Sequence, residues 1–498
     1  MIELGGQRLT LEQVAEVASG LPVRLATTAR NRMRGSRAAV ERLLATGRTI
    51  YGVNTGFGKL SEYSISPDEL RQLQLNLVRS HACGVGPPLS IPEIRAMLLL
   101  RANALALGYS GARVEVAETL VAMLNGGVHP VIPEKGSVGA SGDLAPLAHL
   151  ALVAIGEGEA FFRGRRMPGL VALQNAGIAP LELQVKEGLA LLNGTQAMAA
   201  VGGLAVGRAE RVVRIATMAG AMTLEALKGT PVAFEPRIHA ARPQFGQQMV
   251  AAHLRNLLAD SEIRESHLFD DPRVQDAYSL RCIPQVHGAV LGALRHVREI
   301  VEIESGSATD NPLVFADTDD VISGGNFHGA PLALAFDYGA FALTDLASIT
   351  ERRIERLVNP DLNEGLPPFL TTHPGISSGF MIPQVTAVAL LNEMKVLSHP
   401  ASIDNVPTSG GKEDHVSMGM TSATKLRRIV ENAEYVVAIE LLAAAEALEY
   451  RRPLRGGKGV EWAHERVRLR VPRLTEDRSL SRDIEIIAES IAEGYFDD

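Results

Sequence analysis

The residues with the most unusual chemistry to offer run from Gly136 to His149: Gly-Ser-Val-Gly-Ala-Ser-Gly-Asp-Leu-Ala-Pro-Leu-Ala-His. Glycines at regular spacing and small residues let the backbone around Ala140-Ser141-Gly142 bend tightly without Cβ clashes. Asp143, a proline and an apolar series follow, which predicts a tight loop entering a helix with Asp143 near its N-terminus. If packing compresses the turn until the Gly142 amide nitrogen meets the Ala140 carbonyl carbon, cyclisation with loss of water, including the Ser141 hydroxyl, leaves an exocyclic alkene on an imidazolone. Such a ring is an electrophile, which no ordinary side chain is. On composition alone the loop also reads as a phosphate-binding or merely tight glycine-rich turn.

Other short polar clusters lie between apolar stretches, and each has a plain reading of its own. Tyr51 heads Tyr-Gly-Val-Asn-Thr-Gly-Phe-Gly, where a tyrosine beside glycines ordinarily packs. Ser80-His81 stands near a predicted helix end, and a lone histidine there is ordinarily structural. Asn193, in Leu-Leu-Asn-Gly-Thr-Gln, reads as a helix cap. In Gln275-Asp276-Ala277-Tyr278-Ser279-Leu280-Arg281, the arginine reads as a surface charge or half of an ion pair. Phe327, in Gly-Gly-Asn-Phe-His-Gly, reads as a core aromatic, and Glu413-Asp414-His415-Val416-Ser417 as the first turn of a helix.

Taken together and in order, from residue 51 to 419, these clusters and the Gly136–His149 string resemble the aromatic amino acid ammonia-lyases and aminomutases. The resemblance covers most of the chain. It implies that Ala140-Ser141-Gly142 become the methylidene-imidazolone (MIO) prosthetic group, with no external cofactor. Tyr51 matches the base that takes the substrate's β-proton, a task that requires its phenol pKa to be pulled down by cations or helix ends. Asn193 matches the amide that hydrogen-bonds the prosthetic group or the substrate. Arg281 matches the group that grips the substrate carboxylate, which its planar fork suits better than lysine. Gln275 and Tyr278 stand beside it in the same pattern, Phe327 matches the aromatic next to the ring, and Met381 matches the apolar wall.

Two positions speak to substrate. Relatives acting on phenylalanine resemble Phe-Leu where this chain has Ser80-His81, and those acting on tyrosine resemble His-Leu; Ser-His resembles the histidine-specific branch. Glu413 matches a glutamate of that branch where the others resemble an amide. The implied substrate is therefore L-histidine, leaving as trans-urocanate and ammonia, with an aminomutase or a tyrosine lyase as alternatives and a non-enzymatic helical scaffold as a further one. Gly410-Gly411-Lys412 departs from the Ala-Asn-Gln of many relatives. A charged Lys412 either alters hydrogen bonding near the substrate ring or points outward.

These residues need elements to hold them. Helical spacing predicts helices over Leu11–Ala18, Ser36–Thr46, Glu69–Ser80 and from Pro92 to Leu107, with a strand over Thr49–Val53. Val116, Leu120, Val121 and Leu124 predict a helix ending at Asn125-Gly126-Gly127. Proline-free intervals after Val185, Pro284, Pro331 and Pro407 predict long helices, several apolar nearly all round and so buried against one another. Small residues such as Ala199-Ala200-Val201-Gly202-Gly203 permit close helix approach. The fold class expected is mainly α. The resemblance adds a fumarase/aspartase-like helical bundle and a homotetramer with shared active sites. The expected organisation is an N-terminal globular domain over 1–110, a central helical bundle over 111–455, and a C-terminal helical cap over 456–498.

Composition narrows the partners. Of 498 residues, 49 are basic and 57 acidic, a net charge of −8 that argues against a nucleic-acid surface. The strongest apolar runs contain Arg or Glu or are short for a bilayer, so no membrane partner is expected. Cys83 and Cys282 give neither a disulfide framework nor a metal clip, and the histidines form no HExxH, so no metal is expected. Without a basic-then-apolar leader, a cytoplasmic location is the expectation. Gly52–Lys59 imitates a phosphate-binding loop, but five residues rather than four separate Gly52 from Gly58, and Leu60 stands where the motif needs Ser or Thr.

Overall fold

Where proline is absent for long intervals, the chain is helical for long intervals. In the computed structural model, which describes residues 1–46, 55, 65–66, 69–269, 271 and 273–497, the longest helices are Gln196–Ala226, Ile283–Ser305, Ala330–Val358 and Gly419–Glu449. The fold is mainly α, with strands of only three or four residues among the described ones. Tyr51 and the predicted strand Thr49–Val53 lie outside the described residues.

The described residues group into two units. The first comprises Met1–Gly207, Val297–Asp337 and Pro400–Thr424; the second comprises Arg208–His296, Tyr338–His399 and Lys425–Asp498.

In the first unit the helices are bounded by local signals, the expected Pro92 and Gly127 among them. Helix Leu11–Ala18 opens on a capping box between Thr10 and Gln13, and helix Ile91–Ala106 opens on another between Ser90 and Glu93, with Pro92 in its first turn. Helix Val114–Gly126 ends on Gly127 in the left-handed conformation. The helix expected from Ser36 begins earlier, at Thr27, because Ala29, Met33, Ser36, Ala39 and Val40 form one buried stripe although several are small or polar. Ile91–Ala106 is buried on nearly every side, Arg95, Arg101 and Asn103 included.

The close helix approach read from the small residues is present. A Cβ on Gly202 would lie 2.1 Å from the Phe336 ring, so glycine there lets the aromatic rest on the helix backbone. Short pairings complete this unit. Val85–Pro88 pairs antiparallel with Pro133–Lys135 immediately before the glycine-rich loop, and Val128–Pro130, Glu159–Phe162 and Arg165–Pro168 form a small antiparallel sheet.

The second unit is built from the remaining lengths of the long helices, joined by Met381–Leu397, Lys458–Arg470 and Ser481–Glu493. At its centre Arg353, fully buried, forks onto Glu440 through Nε–Oε1 at 2.5 Å and Nη2–Oε2 at 2.7 Å. Thr223 donates to the same carboxylate at 2.9 Å, and Thr217 and His287 pair at 2.9 Å. Ala330–Val358 is long and apolar enough by length and composition to cross a membrane, but most of its apolar window is buried within the protein.

Candidate active site

The Gly136–His149 string forms the tight loop its composition predicts, and three other segments of the first unit close on it. Met418 N–H donates to Val138 O at 2.8 Å, Ser417 Oγ to Gly139 O at 2.9 Å and Gly329 N–H to the same oxygen at 3.1 Å. Gly142 bridges Gly194 in parallel, and Asp143 N–H donates to Gly194 O at 2.7 Å. Only glycine fits at 142: φ is +73°, and a Cβ would sit 2.3 Å from Gly194 O. Leu144 turns the chain with φ of 42°, a strained value for a γ-branched residue, before helix Ala145–Ala154 starts.

Asp143 does something the sequence did not disclose. It was expected at the start of the helix that follows it, but its carboxylate caps another one, accepting from Ala197 N–H at 2.5 Å and Met198 N–H at 3.2 Å in the first turn of Gln196–Ala226. Burial pushes its carboxyl up to about 7, against the pull of those two amides and of Arg101. The loop is thereby tied to the dipole end of a 31-residue helix.

Beneath the loop lies Arg101, fully buried. It donates to Ala190 O at 2.9 Å, to Asn193 O at 3.0 Å and to Gln196 Oε1 at 2.8 Å. These acceptors include carbonyls that the short helix Glu187–Leu192 leaves open at its C-terminal end. Arg101 thus fixes the turn that carries Asn193 and Gly194. Burial lowers its pKa, with Asp310 and Asp143 pulling the other way.

Asn193, anticipated as a cap at the head of the long helix, stands instead at the C-terminal end of the short helix before it, Glu187–Leu192. Its Nδ2 donates to Ser141 O at 2.8 Å. Its Oδ1 is buried with no hydrogen-bond partner among the described residues, an acceptor left open there. Ser141 Oγ donates to Glu413 Oε1 at 2.6 Å, joining the loop to the last cluster.

His81 ends helix Leu70–His81, and its Nδ1 lies 2.8 Å from Leu77 O. A carbonyl can only accept, so Nδ1 carries the proton and a neutral ring keeps its Nε2 lone pair free to accept. Burial lowers the His81 pKa, partly offset by the Leu77 carbonyl and the charge of Glu413. Phe327 is half-buried in the turn before Gly329. Lys412 is exposed. The structure therefore brings Ala140, Ser141, Gly142, Asn193 and Glu413 together, with His81 within the electrostatic reach of Glu413.

Gln275, Tyr278, Arg281 and Met381 belong to the second unit. Arg281 closes the single turn Tyr278–Arg281 and lays its guanidinium 4.5 Å over the Tyr278 ring. Its Nε is buried with no hydrogen-bond partner among the described residues, a donor left open. Tyr278 and Gln275 are exposed, and Met381, half-buried, is the first residue of helix Met381–Leu397. Arg101 and Asp143 were not among the sequence's candidate site residues. Only Asp143 had a signal, its place inside the string.

The unmodified loop fits the ring chemistry read from its sequence: a hydroxyl set on a carboxylate, a glycine whose Cβ position is occupied, and an orphaned buried amide oxygen beside them. A family model for aromatic amino acid lyases matches residues 9–469. A histidine ammonia-lyase of Myxococcus xanthus (strain DK1622) is 56% identical over 494 residues, spanning 99% of this chain and 97% of the relative. Among solved structures, histidine ammonia-lyase from Trypanosoma cruzi superposes with a TM-score of 0.92 at 43% identity, covering 99% of this chain and 94% of that one. A tyrosine aminomutase from Streptomyces globisporus superposes at 0.94 with 39% identity, covering 99% and 97%. With a family-model match over residues 9–469 and a relative 56% identical along nearly the whole chain, the chain belongs to the aromatic amino acid lyase family.

Proposed function

We infer that this enzyme is a histidine ammonia-lyase, which removes the β-proton and the amino group of L-histidine to give trans-urocanate and ammonia. The observation that carries the substrate is Glu413 on the Ser141 hydroxyl, with His81 near enough to feel the Glu413 charge. Glu413 offers carboxylate oxygens to the imidazole N–H, and neutral His81 offers Nε2 as the alternative acceptor. A phenyl ring provides no N–H for either, so the pair discriminates by what it would leave unpaired.

The MIO ring, formed by loss of two waters from Ala140-Ser141-Gly142, supplies an electrophile that eases departure of the amine. Asn193 holds the ring or substrate through its amide, with the orphaned Oδ1 as the free acceptor. Arg281, with its open Nε, takes the substrate carboxylate. Tyr51 takes the β-proton, and Gln275, Tyr278, Phe327 and Met381 position the partners. A homotetramer with shared active sites accords with the exposed apolar residues Ile382, Val385 and Val388 on helix Met381–Leu397. A cytoplasmic location completes the reading.

The likeness to a tyrosine aminomutase makes that chemistry the second reading. Intact mass of the purified protein, followed by product analysis with L-histidine and L-tyrosine, decides between them. A mass short by two waters with urocanate absorbance growing only from histidine is the expected result. A β-amino acid product would transfer the protein to the aminomutases, and an unmodified mass without turnover would remove the enzymatic reading.

A further inference from the structure

Glu413 is held by two hydroxyls, one on each oxygen. Ser141 Oγ donates to Oε1 at 2.6 Å, and Thr408 Oγ1 donates to Oε2 at 2.5 Å. The two differ in fate. Ring formation expels the Ser141 hydroxyl as water, which frees Oε1; Thr408 has no part in that reaction and stays.

We propose that Thr408 is a positioning residue for Glu413, clamping Oε2 so that Oε1, released when the Ser141 hydroxyl leaves, is presented to the imidazole N–H of the substrate. The proposal rests on the histidine-lyase reading. The backbone of the segment has its own supports. Thr408 and Glu413 form an antiparallel bridge, with Thr408 N–H to Glu413 O at 2.9 Å, across the tight turn Ser409–Gly411. Asn405 ties the far side, donating to Asp414 O at 2.9 Å and accepting from Val416 N–H at 2.8 Å.

None of those bonds sets the plane of the Glu413 carboxylate. The terminal torsion of a glutamate is broad and roughly two-fold, so an unclamped carboxylate turns freely through orientations that miss the ring. A hydroxyl donating to a carboxylate is among the shorter and stronger hydrogen bonds, and it selects one orientation. Lys412, the adjacent cation, is exposed.

The test compares Thr408→Val, which keeps the branched shape and removes the donor, with Thr408→Ser, which keeps the donor. Both are made in the wild-type and the Glu413→Gln backgrounds, with intact mass and separate kcat and KM for L-histidine. Thr408→Val is expected to keep a mass short by two waters and to lose about tenfold or more in kcat/KM, the scale of a hydrogen bond to a charged group. Thr408→Ser should stay within about threefold of wild type. In the Glu413→Gln background the further loss from Thr408→Val should shrink to less than about twofold, because the residue acts through the carboxylate.

Wild-type kinetics in Thr408→Val would overturn the proposal. So would an equal loss in both backgrounds, or an unmodified mass, either of which would make Thr408 a structural or assembly residue. If wild type forms the ring but yields no urocanate, the histidine reading fails and the proposal fails with it.

Discussion

Two buried arginines, one in each unit, do opposite kinds of work. Arg353 joins helix to helix: its fork meets the Glu440 carboxylate, with Thr223 on the same acceptor and His287 alongside. Arg101 meets carbonyl oxygens and an amide oxygen, all at the break between helices Glu187–Leu192 and Gln196–Ala226. Regular helices satisfy their own backbone, so a buried charge between them needs a counter-charge. A turn leaves carbonyls open, and a buried guanidinium can be satisfied by them. The first arrangement fixes packing; the second fixes the shape of a turn on which Gly142 and Ser141 depend. Damage to the loop region should therefore fall on chemistry, and damage to the helical region on stability.

Gly142→Ala is the strongest way to test that division. With φ at +73° and a Cβ 2.3 Å from Gly194 O, alanine cannot occupy the loop as it stands. The expected outcome is a folded protein of unmodified mass without detectable turnover, read by mass spectrometry and urocanate absorbance. Next comes Arg353→Ala, which leaves Glu440 buried and unpaired and should cost about 3–5 kcal/mol in denaturant unfolding. Its mass should still be short by two waters. Replacing both partners by apolar residues, Arg353→Met with Glu440→Leu, should recover most of that loss. Arg101→Lys is the intermediate case. A point charge cannot reach all three acceptors, so part of the purified protein should retain the two waters, with activity following the cyclised fraction while the melting temperature moves little. Equal loss of stability in the Arg101 and Arg353 variants would erase the distinction.

The legible parts of the chain were those with local physics. Helix Leu11–Ala18 was visible in its spacing, and the long helices in their lack of proline. The loop was visible in its glycines. What was hidden depends on pairing at a distance. Asp143 caps a helix that starts more than fifty residues later. Arg101 sits in an apolar helix with no sign of which carbonyls it will serve. Thr408 is an ordinary residue of a polar stretch until the turn at Ser409–Gly411 folds it back onto Glu413. Strands of three or four residues are too short for alternation to show. The helix from Thr27 was read as starting nine residues late because its buried stripe begins with alanine and methionine amid arginines.

The pH dependence carries opposite signs in the two regions. The Asp143 carboxyl, raised mainly by burial to about 7, titrates near 3.8 once the chain unfolds. Between those values the folded state holds a proton that the unfolded state has lost, so the stability from this group is complete below about pH 4 and lost as pH rises toward 7. His287 is the reverse. Burial, reinforced by the neighbouring Arg353 charge, holds it well below 6.5, so its contribution is present above pH 6.5 and lost as pH falls. Melting temperature against pH separates them. Asp143→Asn should flatten the profile between about pH 4 and 7 by removing a declining contribution, whereas His287→Gln should flatten the fall below pH 6.5. Were Asp143→Asn to run parallel to wild type across its window, the carboxylate would be ionised at the helix end throughout. The loop would then be held by charge on the helix dipole rather than by a protonated cap.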